Sequence, residues 1–277
     1  LIDSAKISAK ICRELGGTVP AGLIYELFLD EQGRKISKSL GNGLSVDEWL
    51  TYGTKESLGL FMFQQPRKAK RLFFDVIPKT VDDYESLRVK YATQSPAERI
   101  ENPLWLMHDG APPEDEVPVG YNMLLNLASV VNAEDPAVLW GFIRAYRPGI
   151  RAADHPRLDA QVALAIAYYR DFVKPSKAYR APTAAERAAM IELEAFLATQ
   201  PEHADGEALQ HEVYEIGKRH GFTNLREWFK ALYEVLLGQS QGPRIGSFFA
   251  LYGVANSRAL IRRALAGELA APADAAS

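Results

Sequence analysis

A single cysteine, Cys12, stands in the 277 residues, so neither a disulfide framework nor a cluster of thiolates for zinc can be built from this chain. Histidine is equally sparse as a ligand: His108, His155, His203, His211 and His220 contain no HExxH spacing, and no protein-bound metal is expected. No stretch approaches the roughly 18 uninterrupted apolar residues of a membrane helix, and the opening pattern is expected to be a helix and not a signal peptide. A fixed period of about 20 to 50 residues is also missing, which excludes a standard solenoid. The expected setting is a reducing cytoplasm without membrane attachment. The first residue is Leu1, not methionine, and the sequence starts inside an apolar helical pattern of Ile2, Ala5, Ile7, Ala9 and Ile11. That beginning reads as a cut within a longer protein.

What is present suffices for a large core. The hydrophobic fraction is 47%, and the length suggests about two domains. The net charge of −3 conceals a division. From Arg34 to Lys79 there are nine basic and four acidic residues, whereas from Thr80 to Gly120 there are three basic and nine acidic. The basic block suits polyphosphate or a nucleic-acid backbone, although an imbalance of this size also arises on ordinary solvated surfaces.

Residues 1–15 carry helical periodicity and stop at Gly16-Gly17, and "GLIYELFLD" at 22–30 reads as a strand. A glycine-rich loop follows, and from Ser45 the pattern is helical throughout. Four start signals place a side-chain oxygen three residues before an acid: Ser45 with Glu48, Ser95 with Glu98, Thr183 with Glu186, Asn224 with Glu227. Ser95-Pro96 and Asp135-Pro136 add proline at a first helical position. The segment 102–118 breaks periodicity with prolines and acids and is the best candidate for a domain division. Leu225, Trp228, Phe229, Leu232 and Leu236 form one helical stripe ending at Gly238, a buried helix follows the turn at 242–244, and "LAAPADAAS" at the end reads as a frayed tail.

The chemistry concentrates in "GRKISKSLGN", residues 33–42. Lys35 and Lys38 supply compact positive charges, and Ser37, Ser39 and backbone amides can donate to the same anion. Two ammonium groups on one loop repel each other until negative charge arrives. The arrangement is therefore most favourable when charge builds up on a leaving pyrophosphate, and Lys38 is the candidate for that stabilisation.

"KISKSLGN" after a strand resembles the KMSKS signature of class I aminoacyl-tRNA synthetases, with Ile36 in the methionine position. Together with "FMFQQPRKAKRLFFDVIPKTVDDY", "IENPLWLMHDG" and "YEVLLGQSQGPRIGSFFALYGV", it makes the whole chain similar to the C-terminal half of the class I form of lysyl-tRNA synthetase. The resemblance implies a mainly α chain. Residues 1–44 would be the end of a Rossmann-type α/β catalytic domain, 45–105 a helical stem-contact region, and 106–277 an all-helical anticodon-binding cage. It implies ATP-dependent attachment of lysine to tRNA(Lys) through lysyl-adenylate, with Mg2+ accompanying ATP and the protein acting as a monomer. Lys35, Ser37, Lys38 and Ser39 would bind ATP, with Lys38 on its phosphates. Family members also carry a HIGH-type motif, and no His-x-Gly-His occurs in these 277 residues. The chain alone is therefore expected to be inactive.

A reader of unpaired bases needs aromatic faces, polar groups and backbone cations. Arg67, Lys68, Lys70 and Arg71, interleaved with phenylalanines, are expected to face the acceptor-side tRNA backbone. Arg144, Tyr146, Arg147 and Arg151, then Tyr179 and Arg180, then Arg244, are the candidates in the helical half. Two other readings stay open: a stand-alone tRNA-binding module without chemistry, and a part of a glutamyl or cysteinyl enzyme of the same class.

Overall fold

A computed structural model describes residues 2–37 and 39–270. Lys38 therefore lies outside the described residues, as does the expected tail from 271 onward. The chain is mainly α-helical and divides into two units, 1–43 with 62–73 and 44–61 with 74–277.

In the first unit, helix α1 (Ile2–Glu14) ends before Gly16, whose positive φ of 75° suits glycine. None of its residues is buried. The expected strand over 22–30 shrinks to β1 (Phe28–Leu29), because only there does the backbone find ladder partners. Leu23, Ile24, Tyr25 and Leu27 are exposed instead. Strand β2 (Lys70–Arg71) pairs with β1 in parallel, Phe28 with Lys70 and Leu29 with Arg71. An antiparallel bridge joins Leu29 to Lys35 on the other side.

The second unit carries α2 (Val46–Tyr52), most of α3 (Lys55–Phe63), α4 (Val76–Thr93), α5 (Pro96–Glu101) and α6 (Pro103–Met107). The capping boxes at Ser45 and Ser95 form as the sequence predicts, and Asn102 caps α6 through the Leu104 amide. Trp49 is fully buried and donates its indole N–H to Ser57 at 3.1 Å. Leu60, Tyr84, Tyr91 and Leu104 form a small core between α3, α4 and α6.

Helix α7 (Tyr121–Val131) begins on Gly120, which offers no side-chain cap. Asp82 of α4 substitutes, accepting from the Tyr121 amide at 2.6 Å and the Asn122 amide at 3.1 Å. Helix α8 (Pro136–Tyr146) has the expected Asp135 cap with proline behind it. Helix α9 (Pro156–Tyr168) runs into a π-helical segment, Tyr169–Val173, and a last turn α10 (Lys174–Ser176). A largely buried network links α4 to α9: Glu85 accepts from Arg88 at 2.8 Å, from Gln161 at 2.9 Å and from Arg157.

The largest core lies among α11 (Ala184–Leu197), α12 (Gly206–Arg219), α13 (Leu225–Leu232), the π-helical segment Tyr233–Leu237, α14 (Ile245–Tyr252) and α15 (Val254–Leu265). The Thr183 box forms, and Gly238 terminates its helix at φ 69°. Asn224 caps α13, but through Arg226 two residues on, so the expected box with Glu227 gives way to a single bond. Trp228, Leu232 and Leu236 are buried as the stripe requires. Helices α12 and α14 meet backbone to backbone at Gly246, where a Cβ would stand 2.7 Å from the Gln210 Cα.

Candidate functional site

The glycine-rich loop grows out of β1 through a tight turn. Asp30 accepts the Gly33 amide on its carbonyl at 3.0 Å and donates its own amide to Arg34 at 2.8 Å. Gly33 takes φ 82°, a conformation that favours glycine. Asp30 is only 4% exposed. It accepts from the Arg34 amide at 2.7 Å, from Arg34 Nε at 2.8 Å and from Asn42 Nδ2 at 2.9 Å. Burial opposes its charge, but these donors outweigh it and hold the carboxyl below its ordinary pKa.

Asn42 closes the loop from its far end. Its Oδ1 accepts the Ser37 amide at 3.0 Å, and its Nδ2 reaches the Lys35 carbonyl at 3.3 Å as well as Asp30. Ile36 packs onto Gly43 so closely that a Cβ there would lie 2.7 Å from Ile36 Cγ2. Between these anchors Ser37 and Ser39 stand with their hydroxyl oxygens 3.3 Å apart, and Lys35 is exposed. The loop thus has a fixed base and displays hydroxyls and a cation. Asp30 and Asn42 are missed by sequence reasoning, because their partnership spans twelve positions and neither belongs to the signature.

The pairing of β2 with β1 carries the second basic stretch to the same turn. Arg71 is exposed, with Nη2 3.7 Å from where a Gly33 Cβ would be. Arg67 and Lys68 are also exposed. Lys70 is half-buried: its ammonium donates to the Gln64 carbonyl at 2.6 Å and lies 5.6 Å from the Phe28 ring centroid. Burial lowers its pKa.

In the second unit Arg147, Arg151, Arg180 and Arg244 each have a carboxylate, whereas Arg144 is exposed. Arg147 pairs with Glu116 at 2.8 Å, and Arg151 with Asp154 at 2.7 Å. Arg180 bridges Glu186 and Glu234, both at 2.7 Å, and Arg244 pairs with Glu207. Tyr146 is exposed, whereas Tyr179 is half-buried with its ring against Gly238. Tyr179 and Arg180 line a cleft of about 1010 Å³. Among the described residues no group of three or more His, Cys, Asp or Glu gathers as a metal site. No helix among them is long and apolar enough to cross a membrane.

Residues 1–111 match the family model for tRNA synthetases class I (K). The chain is 54% identical over 260 residues to a lysine–tRNA ligase of Roseobacter denitrificans (strain ATCC 33942 / OCh 114), covering 94% of this chain and 49% of that protein. A lysine–tRNA ligase of Rickettsia bellii (strain OSU 85-389) is 47% identical over 266 residues, with coverage of 95% and 51%. One from Rickettsia rickettsii (strain Sheila Smith) is 46% identical over 262 residues, with 94% and 50%. The chain spans about half the length of the curated relatives it matches.

Proposed function

We propose, for a chain that belongs to the class I lysyl-tRNA synthetase family, that it supplies the phosphate-binding loop and the tRNA-binding body of a lysine–tRNA ligase. The observation that carries this reading is the loop itself. A KISKS sequence is anchored at both ends by Asp30 and Asn42 and leaves Lys35, Ser37 and Ser39 between the anchors.

In the reaction proposed for the whole enzyme, the lysine carboxylate attacks the α-phosphorus of ATP. The bond to the β-phosphate oxygen breaks, and lysyl-adenylate and pyrophosphate form. A hydroxyl of the terminal ribose of tRNA(Lys) then attacks the lysyl carbonyl, the bond to the adenylate phosphate oxygen breaks, and AMP leaves. Negative charge grows on the pyrophosphate as it leaves, and the loop's cations and hydrogen-bond donors meet that charge. Lys38 is assigned the phosphates by its place in the motif, and Lys35, Ser37 and Ser39 the remaining oxygens. Mg2+ would enter as the counter-ion of ATP. The fixed base matters because a loop held in place loses less freedom when it closes on a ligand.

Residues 1–44 are assigned to the catalytic domain, 45–105 to contacts with the tRNA stem, and 106–277 to the anticodon side. Arg67, Lys68 and Arg71 are assigned to the tRNA backbone, and a cytoplasmic monomer is the proposed form. The 277 residues contain no His-x-Gly-His, so the chain alone is assigned no adenylate-forming activity. Charging assays on the full-length protein with labelled lysine, glutamate and cysteine test the assignment. Lysine is expected to be charged, and Lys38→Ala to slow it by about 10²–10³-fold. Charging of another amino acid, or a wild-type rate in Lys38→Ala, would contradict it.

A further inference from the structure

Within the first unit, β1 lies between β2 and the limb of the loop that carries Lys35, and the pairing fixes which side chains share a face. The Asp30 amide donates to the Arg34 carbonyl at 2.8 Å and the Ile36 amide to the Phe28 carbonyl at 3.3 Å. Leu29 and Lys35, enclosed by these two bonds, are therefore a non-hydrogen-bonded antiparallel pair, whose side chains stand close together on one face. On its other edge Leu29 is in register with Arg71, and its carbonyl accepts the Leu72 amide at 2.8 Å. Lys35, Leu29 and Arg71 thus form one row on one face, with the two outer Cα atoms about 9–10 Å apart. Phe28 and Lys70, one position earlier on each strand, project from the opposite face, where the Lys70 ammonium lies 5.6 Å from the Phe28 ring centroid. The pleat therefore divides the basic run, sending Lys70 to one side and Arg71 to the other.

The Arg71 side chain leans along this row onto the turn that opens the loop. Its Nη2 and Nε lie 3.7 and 3.9 Å from where a Cβ on Gly33 would be. Arg34, at the same turn, is already paired with Asp30 at 2.8 Å. Arg71 and Lys35 are exposed, and among the described residues neither is paired with a carboxylate. Two such cations on one face repel each other until an anion lies between them. A single phosphate engages one side of this row, whereas two linked phosphates offer oxygens to both ends. The guanidinium fork suits phosphate oxygens in particular.

We propose that Arg71 binds the β- and γ-phosphates of ATP opposite Lys35 and holds the pyrophosphate as it leaves. The proposal rests on the reading of the loop as the ATP site. It adds a ligand from outside the signature, brought there by the parallel pairing of β2 with β1. Pyrophosphate forms and departs before the terminal ribose of tRNA reacts, so the same guanidinium is free to meet the tRNA backbone afterwards.

The test uses the full-length enzyme with inorganic pyrophosphate, and AMP, which lacks the two outer phosphates, as the control. Wild-type protein is treated with the arginine reagent phenylglyoxal with and without each anion, and modified residues are mapped by mass spectrometry. Calorimetry gives the affinities of wild type, Arg71→Ala and Arg71→Lys. Pyrophosphate is expected to protect Arg71 from the reagent, and AMP to leave it reactive. Arg71→Ala is expected to bind pyrophosphate about tenfold more weakly, with AMP affinity unchanged, and Arg71→Lys to recover part of the loss. Equal modification of Arg71 with and without pyrophosphate overturns the site, as does wild-type pyrophosphate affinity in a folded Arg71→Ala, the result expected of a residue that serves tRNA alone. Protection of Arg71 in an enzyme that charges glutamate or cysteine supports the site and overturns only the lysine assignment. Absence of pyrophosphate binding overturns both the site and the reading of the loop beneath it. The protection arm uses wild-type protein and stands even if a variant fails to fold.

Discussion

At Asn42 one carboxamide ties three points of a loop together: the Ser37 amide, the Lys35 carbonyl and the Asp30 carboxylate. Each net hydrogen bond contributes about 1 kcal/mol, so Asn42→Ala should release the loop while leaving the helical core alone. Amide hydrogen exchange in residues 35–43 is expected to accelerate by at least about tenfold, with exchange in α12 unchanged. Equal rates would show that the anchor has no mechanical role. A second residue-scale test concerns pH. The guanidinium of Arg180 beside Glu186, aided by the Thr183 amide, outweighs partial burial and lowers the carboxyl's pKa in the folded chain. The stability this contributes is full above the ordinary carboxylate range near 4.3 and is lost as pH falls through the depressed folded value. Thermal midpoints of wild type and Glu186→Gln should therefore differ most near pH 7 and converge as the solution becomes more acidic than about pH 4. A constant difference across that window would contradict the linkage.

Among the elements, α1 and α14 stand at opposite extremes. Helix α1 has 13 residues and buries none of them, and an isolated helix of that length is marginal in water. Its amides are expected to exchange close to unprotected rates in the isolated chain, a result that protection comparable to α14 would refute. Helix α14 is pressed onto α12 at Gly246, where a Cβ would collide with the Gln210 and Gly206 backbones. Gly246→Ala should cost about 1–3 kcal/mol or more in denaturant unfolding. Legibility follows the same division. The boxes at Ser45, Ser95 and Thr183 were readable because a cap depends on residues three apart, and the Trp228 stripe because one helical face repeats within a few turns. The apolar composition of 22–30 suits a ladder throughout, but only Phe28 and Leu29 meet strand partners, Lys70 and Arg71, which lie far along the chain. The π-helical segments have no local sequence signal, and they border the cleft lined by Tyr179 and Arg180. Lys35, Ser37 and Ser39 were legible as a motif, whereas the Asp30 and Asn42 supports exist only once the loop is folded.

For the whole molecule, the basic stretch and the helical unit together predict a polyelectrolyte contact with RNA. Arg67, Lys68 and Arg71 are exposed, while the Lys70 ammonium is held by the Gln64 carbonyl. Replacing the first three with alanine should flatten the dependence of log affinity on log salt by about one for each lost phosphate contact. Lys70→Ala should loosen the 62–70 segment and leave the slope nearly unchanged. The central claim is that these residues form the tRNA-binding body of a lysine-specific synthetase, and equilibrium binding of tRNA(Lys) to the 277-residue chain tests it most directly. Titrations at several salt concentrations, beside a tRNA for a different amino acid, should show saturable binding that favours tRNA(Lys) and weakens steeply with salt. No binding, or equal affinity for both tRNAs at every salt concentration, would contradict it.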